Sequence, residues 1–417
     1  MAGICAPAPL QKTFIARQPI LDRRQQVHGY ELLYRSGPTD AFDGEDPDGA
    51  TLQLMSASLL VHNLQELVGG LLGYVNVPRK LLVEDMLLVL PVQHTVVEIL
   101  ETVEPDAEVV EAVRRLKAAG MRIALDDFVG GPGYDELVEL ADVIKVDFLQ
   151  SGPEERKRMV DTLRRPGRLL LAEKVETREV FQEALDCGYD LFQGYFFCRP
   201  ETRSRREIPK AKVHYVQLLR EIARPELDLA RIEAVIKREV SLSAKLLRYL
   251  SSVEFGLRVE LDSIRSALVH LGERPLRRWV SLVAMGGLGE DKPGELVRLS
   301  LVRARLCESL AERLTAAAPL ELFLTGMFST IDALVDRPLD EALDEIGLGD
   351  QVADAIRGDD SVLSAARRLA IACERSDEAD LLAEVDRLGL DPDDVADLYL
   401  EALLWADGTM GLRRARS

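Results

Sequence analysis

Eight short apolar runs, separated by stretches of helical periodicity, crowd into the first two hundred residues of this chain and then stop. They are "TFIARQPI", "HGYELLYR", "LLGYVNV", "TVVEIL", "RIALDD", "DVIKVDF", "RLLLAEK" and "YDLFQGYFF". Among the stretches between them, "PDAEVVEAVRRLKAAG" repeats Val109, Val110, Val113 and Leu116 at helical spacing and reaches Gly120, a residue suited to a C-terminal stop. "TREVFQEALDCG" ends the same way at Gly188. Near-continuous apolar strands alternating with helices predict a parallel sheet covered by helices. So many strands in so short a length favour a closed, TIM-like β/α barrel over an open sheet. After "CRPETRSRREIPKAK" the strand pattern vanishes, and from Val213 onward the chain reads as helix after helix, as in "LARIEAVIKREVS", "LDSIRSALVHLG" and "GELVRLSLVRARLCESLAERL". Asp262 or Ser263 can cap the second of these, and Gly272 can end it. A boundary in the charged stretch Glu201–Lys212 gives a β/α barrel domain over 1–205 and an all-helical domain over 206–410. The fold class is therefore α/β plus all-α.

At 417 residues the chain exceeds one ordinary core, so more than one domain is expected. Its formal net charge of -19 speaks against a nonspecific nucleic-acid binder, which needs a basic face to displace counterions. A nucleotide ligand stays open, because bound metal ions can reverse the sign of a local site. The five cysteines (Cys5, Cys187, Cys198, Cys307, Cys373) show no CxxC spacing and read as reduced thiols. "MAGICAPAPLQKTF" lacks the pattern of a secretion signal, and no apolar run reaches the ~20 residues that span a bilayer. The expectation is a soluble, cytoplasmic protein without membrane or direct nucleic-acid partners.

Function is read from the polar residues that interrupt the apolar runs. Glu31 follows "VHGY", Asn76 follows "LLGYV", Glu98 follows "TVV", and Asp126 and Asp127 follow "RIAL". Lys145 follows "DVI", Glu173 follows "LLLA", and Gln193 follows "DLF". In a β/α barrel the C-terminal strand ends converge on one mouth, where the active site sits. Two adjacent aspartates at a strand end repel each other and call for a compensating cation, either a basic side chain or divalent metal. Oxygen-rich ligation suits a hard ion such as Mg²⁺ or Mn²⁺, and a pair of aspartates can serve two ions at once. A single carboxylate at a strand end is more often a helix cap or a salt bridge. Asp147 and Glu101 fit that plain role, each pairing with a nearby base. Eight polar residues on seven strands are less easily read that way.

The motifs that carry these residues also occur in a recognisable order. They are "QPILDRRQQVHGYELLYR" with Glu31, Leu33 and Arg35, then "YVNVP", "VVEILE", "LDDF", "IKVDF", "LAEKVE", and "FQGYFF" trailed by Pro200. Over about Phe14 to Pro200 the sequence resembles the EAL family of cyclic di-GMP phosphodiesterases. "LSAKLLRYLSSVEFG", "SIRSALVHLG" and "LRRWVSL" resemble the HDOD domain, and the order of the two looks like the two-domain YuxH-like signalling proteins. The resemblance implies that Glu31, Asn76, Glu98 and Asp126 hold one metal, and that Asp126, Asp127 and Glu173 hold a second. Lys145 would steady the attacking water and the phosphate charge, with Glu173 also at the chemistry. Glu176 and Gln193 would act around the ligands, and Arg35, with Leu33 beside it, would hold the substrate. The implied reaction opens cyclic di-GMP to the linear dinucleotide with two Mg²⁺ or Mn²⁺ ions. The implied partners are cyclic di-GMP, a signalling protein docking through the HDOD region, and a second copy in a homodimer. A receptor that binds the nucleotide without turnover, and a scaffold acting through protein contacts, remain as alternatives. No His-Asp dipeptide of the HD phosphohydrolases occurs, and His214 and His270 are expected to be structural.

Overall fold

The computed structural model describes residues 13–36, 64–84, 86–131, 133–199, 210–224, 226–239, 242–243, 245–246, 263–314, 317–375 and 377–410. Asp262, one of the two expected helix caps, and most of the opening stretch "MAGICAPAPLQKTF" lie outside them.

Eight strands close into one barrel in sequence order: β1 (Thr13–Asp22), β2 (Val27–Ser36), β3 (Leu72–Val77), β4 (Thr95–Ile99), β5 (Arg122–Leu125), β6 (Val143–Asp147), β7 (Leu169–Glu173) and β8 (Leu191–Gln193). From β2 to β8 all neighbours are parallel, as the strand-helix alternation predicts. The departure is β1, antiparallel to both β2 and β8. Its cause is local. Only Arg23–Gln26 separate β1 from β2, and Asp22 Oδ1 accepts from the backbone N–H of Arg24 at 2.8 Å and of Gln26 at 2.9 Å. So short a connection closes a hairpin and cannot make a parallel crossover.

The covering helices begin and end where the sequence signals them. In Ala107–Ala118, the Asp106 side chain accepts from Val109 N at 2.9 Å, and Gly120 takes φ 88° just past the end. Helix Arg178–Cys187 is capped by Thr177 and stopped by Gly188 at φ 105°. Inside the barrel, Ile20, Tyr74, Val96, Ala124, Val143, Leu171 and Leu191 form one buried apolar layer. The contribution of β2 to this level is Gly29. A Cβ there would lie 2.7 Å from the Leu72 carbonyl oxygen and 3.2 Å from the Tyr74 ring, so the missing side chain makes room for that ring.

Beyond the barrel the described chain is helical, from Lys210–Ala223 through Glu273–Leu288 and Gly294–Ser309 to Pro392–Thr409. Ser263 serves as the cap of Ile264–Leu271, its hydroxyl accepting from Ser266 N at 3.1 Å, and Gly272 ends that helix at φ 74°. Compactness divides the chain differently from the grammar of its elements. One unit is Met1–Phe196 together with Ile371–Ser417, and the other is Phe197–Ala370. Within the first unit, Pro392–Thr409 lies against β1. There Arg17 Nη2 stands 2.8 Å from Asp407 Oδ2 and 2.9 Å from Oδ1, with both side chains almost fully buried and the guanidinium over the Tyr30 ring. No described helix is long and apolar enough to cross a membrane.

Candidate metal centre

Side chains of a strand alternate between faces, so the residue two places beyond a core residue points the same way. Applied to the apolar layer, this rule builds the mouth. Asn76 follows Tyr74, Glu98 follows Val96, Asp126 follows Ala124, Lys145 follows Val143, Glu173 follows Leu171, and Gln193 follows Leu191. On β2, Glu31 follows Gly29. On the antiparallel β1 the direction reverses, and the mouth residue is Gln18, two places before Ile20.

At the centre of this layer is Lys145, 1% exposed. Its ammonium stands 2.8 Å from Asp126 Oδ1, 2.8 Å from Glu173 Oε1 and 3.4 Å from Glu31 Oε2, and it is paired with Glu98 Oε1. Glu31 is held from two further sides, by Asn76 Nδ2 donating to Oε1 at 2.9 Å and Gln193 Nε2 donating to Oε2 at 2.6 Å. Gln193 Nε2 also donates to Gln18 Oε1 at 3.0 Å, which brings in a residue that the strand-end reading missed. On the parallel strands the mouth residue follows an apolar run, and on the reversed strand it comes before one.

Four carboxylates share one ammonium, and the proton affinities follow from that imbalance. Burial would strip the proton from Lys145, but the four carboxylates outweigh it and hold its pKa well above the usual lysine range. Burial pushes the Glu98 carboxyl well above the ordinary range against the pull of Lys145, with Glu31, Asp126 and Glu173 repelling its charge. Burial likewise raises Glu173 to about 8, despite Lys145 and helped by Asp126 and Glu31. The excess negative charge is thus kept partly in check by protons, which a cation can replace.

The donor set fits a hard cation. Glu31, Glu98 and Glu173 can bring one oxygen each within 4.8 Å of one another, and so can Asp126, Asp127 and Glu173. The carboxylate common to both groups is Glu173, whereas the family resemblance assigns that sharing to Asp126. Asn76 Oδ1, Glu98 Oε2, Asp127 Oδ1, Glu173 Oε2 and Gln193 Oε1 are buried with no hydrogen-bond partner among the described residues. Buried oxygens left without donors lose stability unless something electropositive reaches them. An all-oxygen set is the kind that Mg²⁺, Mn²⁺ or Ca²⁺ takes.

Asp127 is built differently from its neighbour. Its backbone takes φ 39° and that of Lys174 takes φ 54°, a region that side chains other than glycine rarely enter. Lys174 Nζ stands 3.4 Å from Asp127 Oδ2 and is also paired with Asp147 Oδ2. The other oxygen of Asp147 accepts from Leu149 N at 2.6 Å and Gln150 N at 3.2 Å. Burial would raise the Asp147 carboxyl, but Lys174 and these N–H groups hold it below the usual range. The turn after Lys174 is fixed by Gly194, at φ 142°, where a Cβ would sit 2.1 Å from the Val175 carbonyl oxygen. Only glycine lets β8 approach β7 that closely.

The remaining expected site residues lie around this cluster. Leu33 is half-buried on β2, on the same face as Glu31, and pairs with Ala16 of β1. Arg35 sits near the end of β2 opposite Phe14, and its side chain lies outside the described residues. Glu176 is exposed beyond the end of β7.

Residues 82–200 match the family described as EAL domain, and residues 208–340 match the family described as HDOD domain. Cyclic di-GMP phosphodiesterase CdgJ of Vibrio cholerae is 36% identical over 398 residues, covering 94% of this chain and 92% of that protein. The uncharacterized protein YuxH of Bacillus subtilis is 33% identical, covering 96% of this chain and 99% of its own. The YkuI protein of Bacillus subtilis, with an EAL domain and solved in complex with substrate c-di-GMP and calcium, is 19% identical. It covers 56% of this chain and 73% of that chain at a TM-score of 0.38.

Proposed function

The chain belongs to the same family as CdgJ and YuxH, with an EAL domain followed by an HDOD domain, and from that premise we propose that its barrel hydrolyses cyclic di-GMP to the linear dinucleotide. The observation that carries this reading is the pair of carboxylate groups meeting at Glu173 around Lys145, with their unpartnered buried oxygens. Glu31, Glu98 and Glu173, with Asn76 beside them, would hold one divalent ion, Mg²⁺ or Mn²⁺, and Asp126, Asp127 and Glu173 the other. Such ions supply Lewis acidity to the phosphate and make water a nucleophile at neutral pH. Lys145 gives the phosphate's developing charge a fixed ammonium in a water-poor setting. Gln193 and Gln18 keep Glu31 turned inward, Arg35 and Leu33 meet the substrate, and Glu176 acts from the rim.

The helical module within 206–410 is read as the docking element for a signalling protein, and the reaction as a cytoplasmic one. A homodimer is part of the same reading, and light scattering measures it directly. Lys174, paired with Asp127, favours one second reading, a receptor that binds cyclic di-GMP with little turnover. Incubation of the purified chain with cyclic di-GMP and Mn²⁺ or Mg²⁺ separates the two, since linear product marks the enzyme and retained intact ligand the receptor. Neither product nor retained ligand would overturn both and leave the scaffold.

A further inference from the structure

The two adjacent aspartates at the end of β5 each have a lysine of their own. Lys145 faces Asp126 and also touches Glu31, Glu98 and Glu173, whereas Lys174 pairs with Asp127 and Asp147. We propose that Lys174 is a built-in competitor of the divalent ion at Asp126, Asp127 and Glu173, so that this position binds its ion more weakly than it would without the lysine. The inference rests on the two-ion reading of the mouth and deepens it at one position.

Three observations carry the proposal. The Asp127 carboxylate is divided, with Oδ2 turned to the Lys174 ammonium at 3.4 Å and Oδ1 buried without a hydrogen-bond partner among the described residues, and the residue belongs to a group that could take an ion. The ammonium is also anchored, because Asp147 grips it with one oxygen while two backbone N–H groups fix the other. Finally, Lys174 holds this position at φ 54°, a conformation that glycine would adopt without strain. A positive charge this close to one ligand of a divalent ion repels it, even with the Lys174 side chain 43% exposed and partly screened by solvent. An ion entering here must displace the lysine from Asp127 or share the carboxylate with it.

Titration of Mn²⁺ into the metal-stripped full-length chain tests this. Wild type is expected to show two steps, and Asp127→Asn identifies the one at this position by losing it. Lys174→Gln, which keeps a donor for Asp147 but no charge, should tighten that step by about tenfold, while Lys174→Arg leaves it at the wild-type value. Lys174→Gly, unstrained at this φ, should tighten it as well and covers the case in which the glutamine variant folds poorly. Two steps in wild type with the one assigned to Asp127 unchanged in both neutral variants would overturn the competition and leave the metal centre standing. No ion bound by the wild type would overturn both.

Discussion

Arg17 and Lys145 are both cations buried in the barrel unit, and their surroundings differ in one respect. Arg17 meets the carboxylate of Asp407 in a seam between β1 and a helix from the far end of the chain, its guanidinium lying over Tyr30. Lys145 meets four carboxylates, two of them with a buried oxygen that has no hydrogen-bond partner among the described residues. A matched pair holds two elements together and can do little else, because removing either charge strands the other in a dry place. A crowd of carboxylates around one ammonium is a store of uncompensated charge, able to take up protons or metal ions. The first arrangement is structure and the second is a site.

The comparison breaks most visibly at the seam. Arg17→Met should cost about 3–5 kcal/mol in urea unfolding, by removing the buried cation opposite Asp407, and Arg17→Met with Asp407→Leu should recover most of it. A loss within the range of surface substitutions would mean that the seam is not a matched pair. Lys145→Met should cost the folded state less, since Glu98 and Glu173 can answer by holding protons, and the cost should shrink towards pH 5. The same change should lower turnover of cyclic di-GMP by about 10²-fold or more, if the ammonium serves the phosphate. Asp127→Asn halves a repulsive pair, so the metal-free variant should melt slightly above wild type, and in Mn²⁺ the order should reverse. Melting temperatures that ignore Mn²⁺ would reduce the mouth to a second structural cluster.

A further expected effect is one of pH. The Glu173 carboxyl sits at about 8 in the folded chain, against about 4.3 for an ordinary glutamate, so the folded state holds this proton more tightly. Its contribution is fully present below the unfolded value and is lost as pH rises through the folded one. Metal-free wild type should therefore lose stability between about pH 5 and 8, and Glu173→Gln should lose less. Parallel curves for the two proteins would show that Glu173 shares the unfolded-state proton affinity.

The strands and the inward-facing carboxylates were legible because both follow from period. An apolar run fixes which face is inside, and two more residues along the same face reach the mouth, so Glu98, Asp126 and Glu173 could be read straight from the chain. Gln18 escaped because on the reversed strand β1 the mouth position comes before the apolar residues and not after them. The Lys174–Asp127 contact escaped for another reason: it depends on two backbones at positive φ, which the residue types at those positions disfavour. Asp147 was read correctly as a carboxylate that pairs with a base, though its base is also the neighbour of Asp127. The seam at Arg17 was out of reach, since helical periodicity says that a helix buries a face and not what it is buried against.

The Tyr195 hydroxyl donates to the Glu374 carbonyl at 3.1 Å, and the Arg375 guanidinium lies over the Tyr195 ring. These residues flank the two points at which the chain leaves the barrel unit and returns to it, after Phe196 and before Ile371. The intervening helices are in this sense a very long insertion pinched shut at its base. Excising it and joining the two sides with a few glycines should be tolerated, because the gap is already closed and loop closure costs little for a short flexible bridge. Cutting the chain after residue 205 is the harsher operation, since it discards the returning segment with Asp407 and leaves Arg17 without that carboxylate.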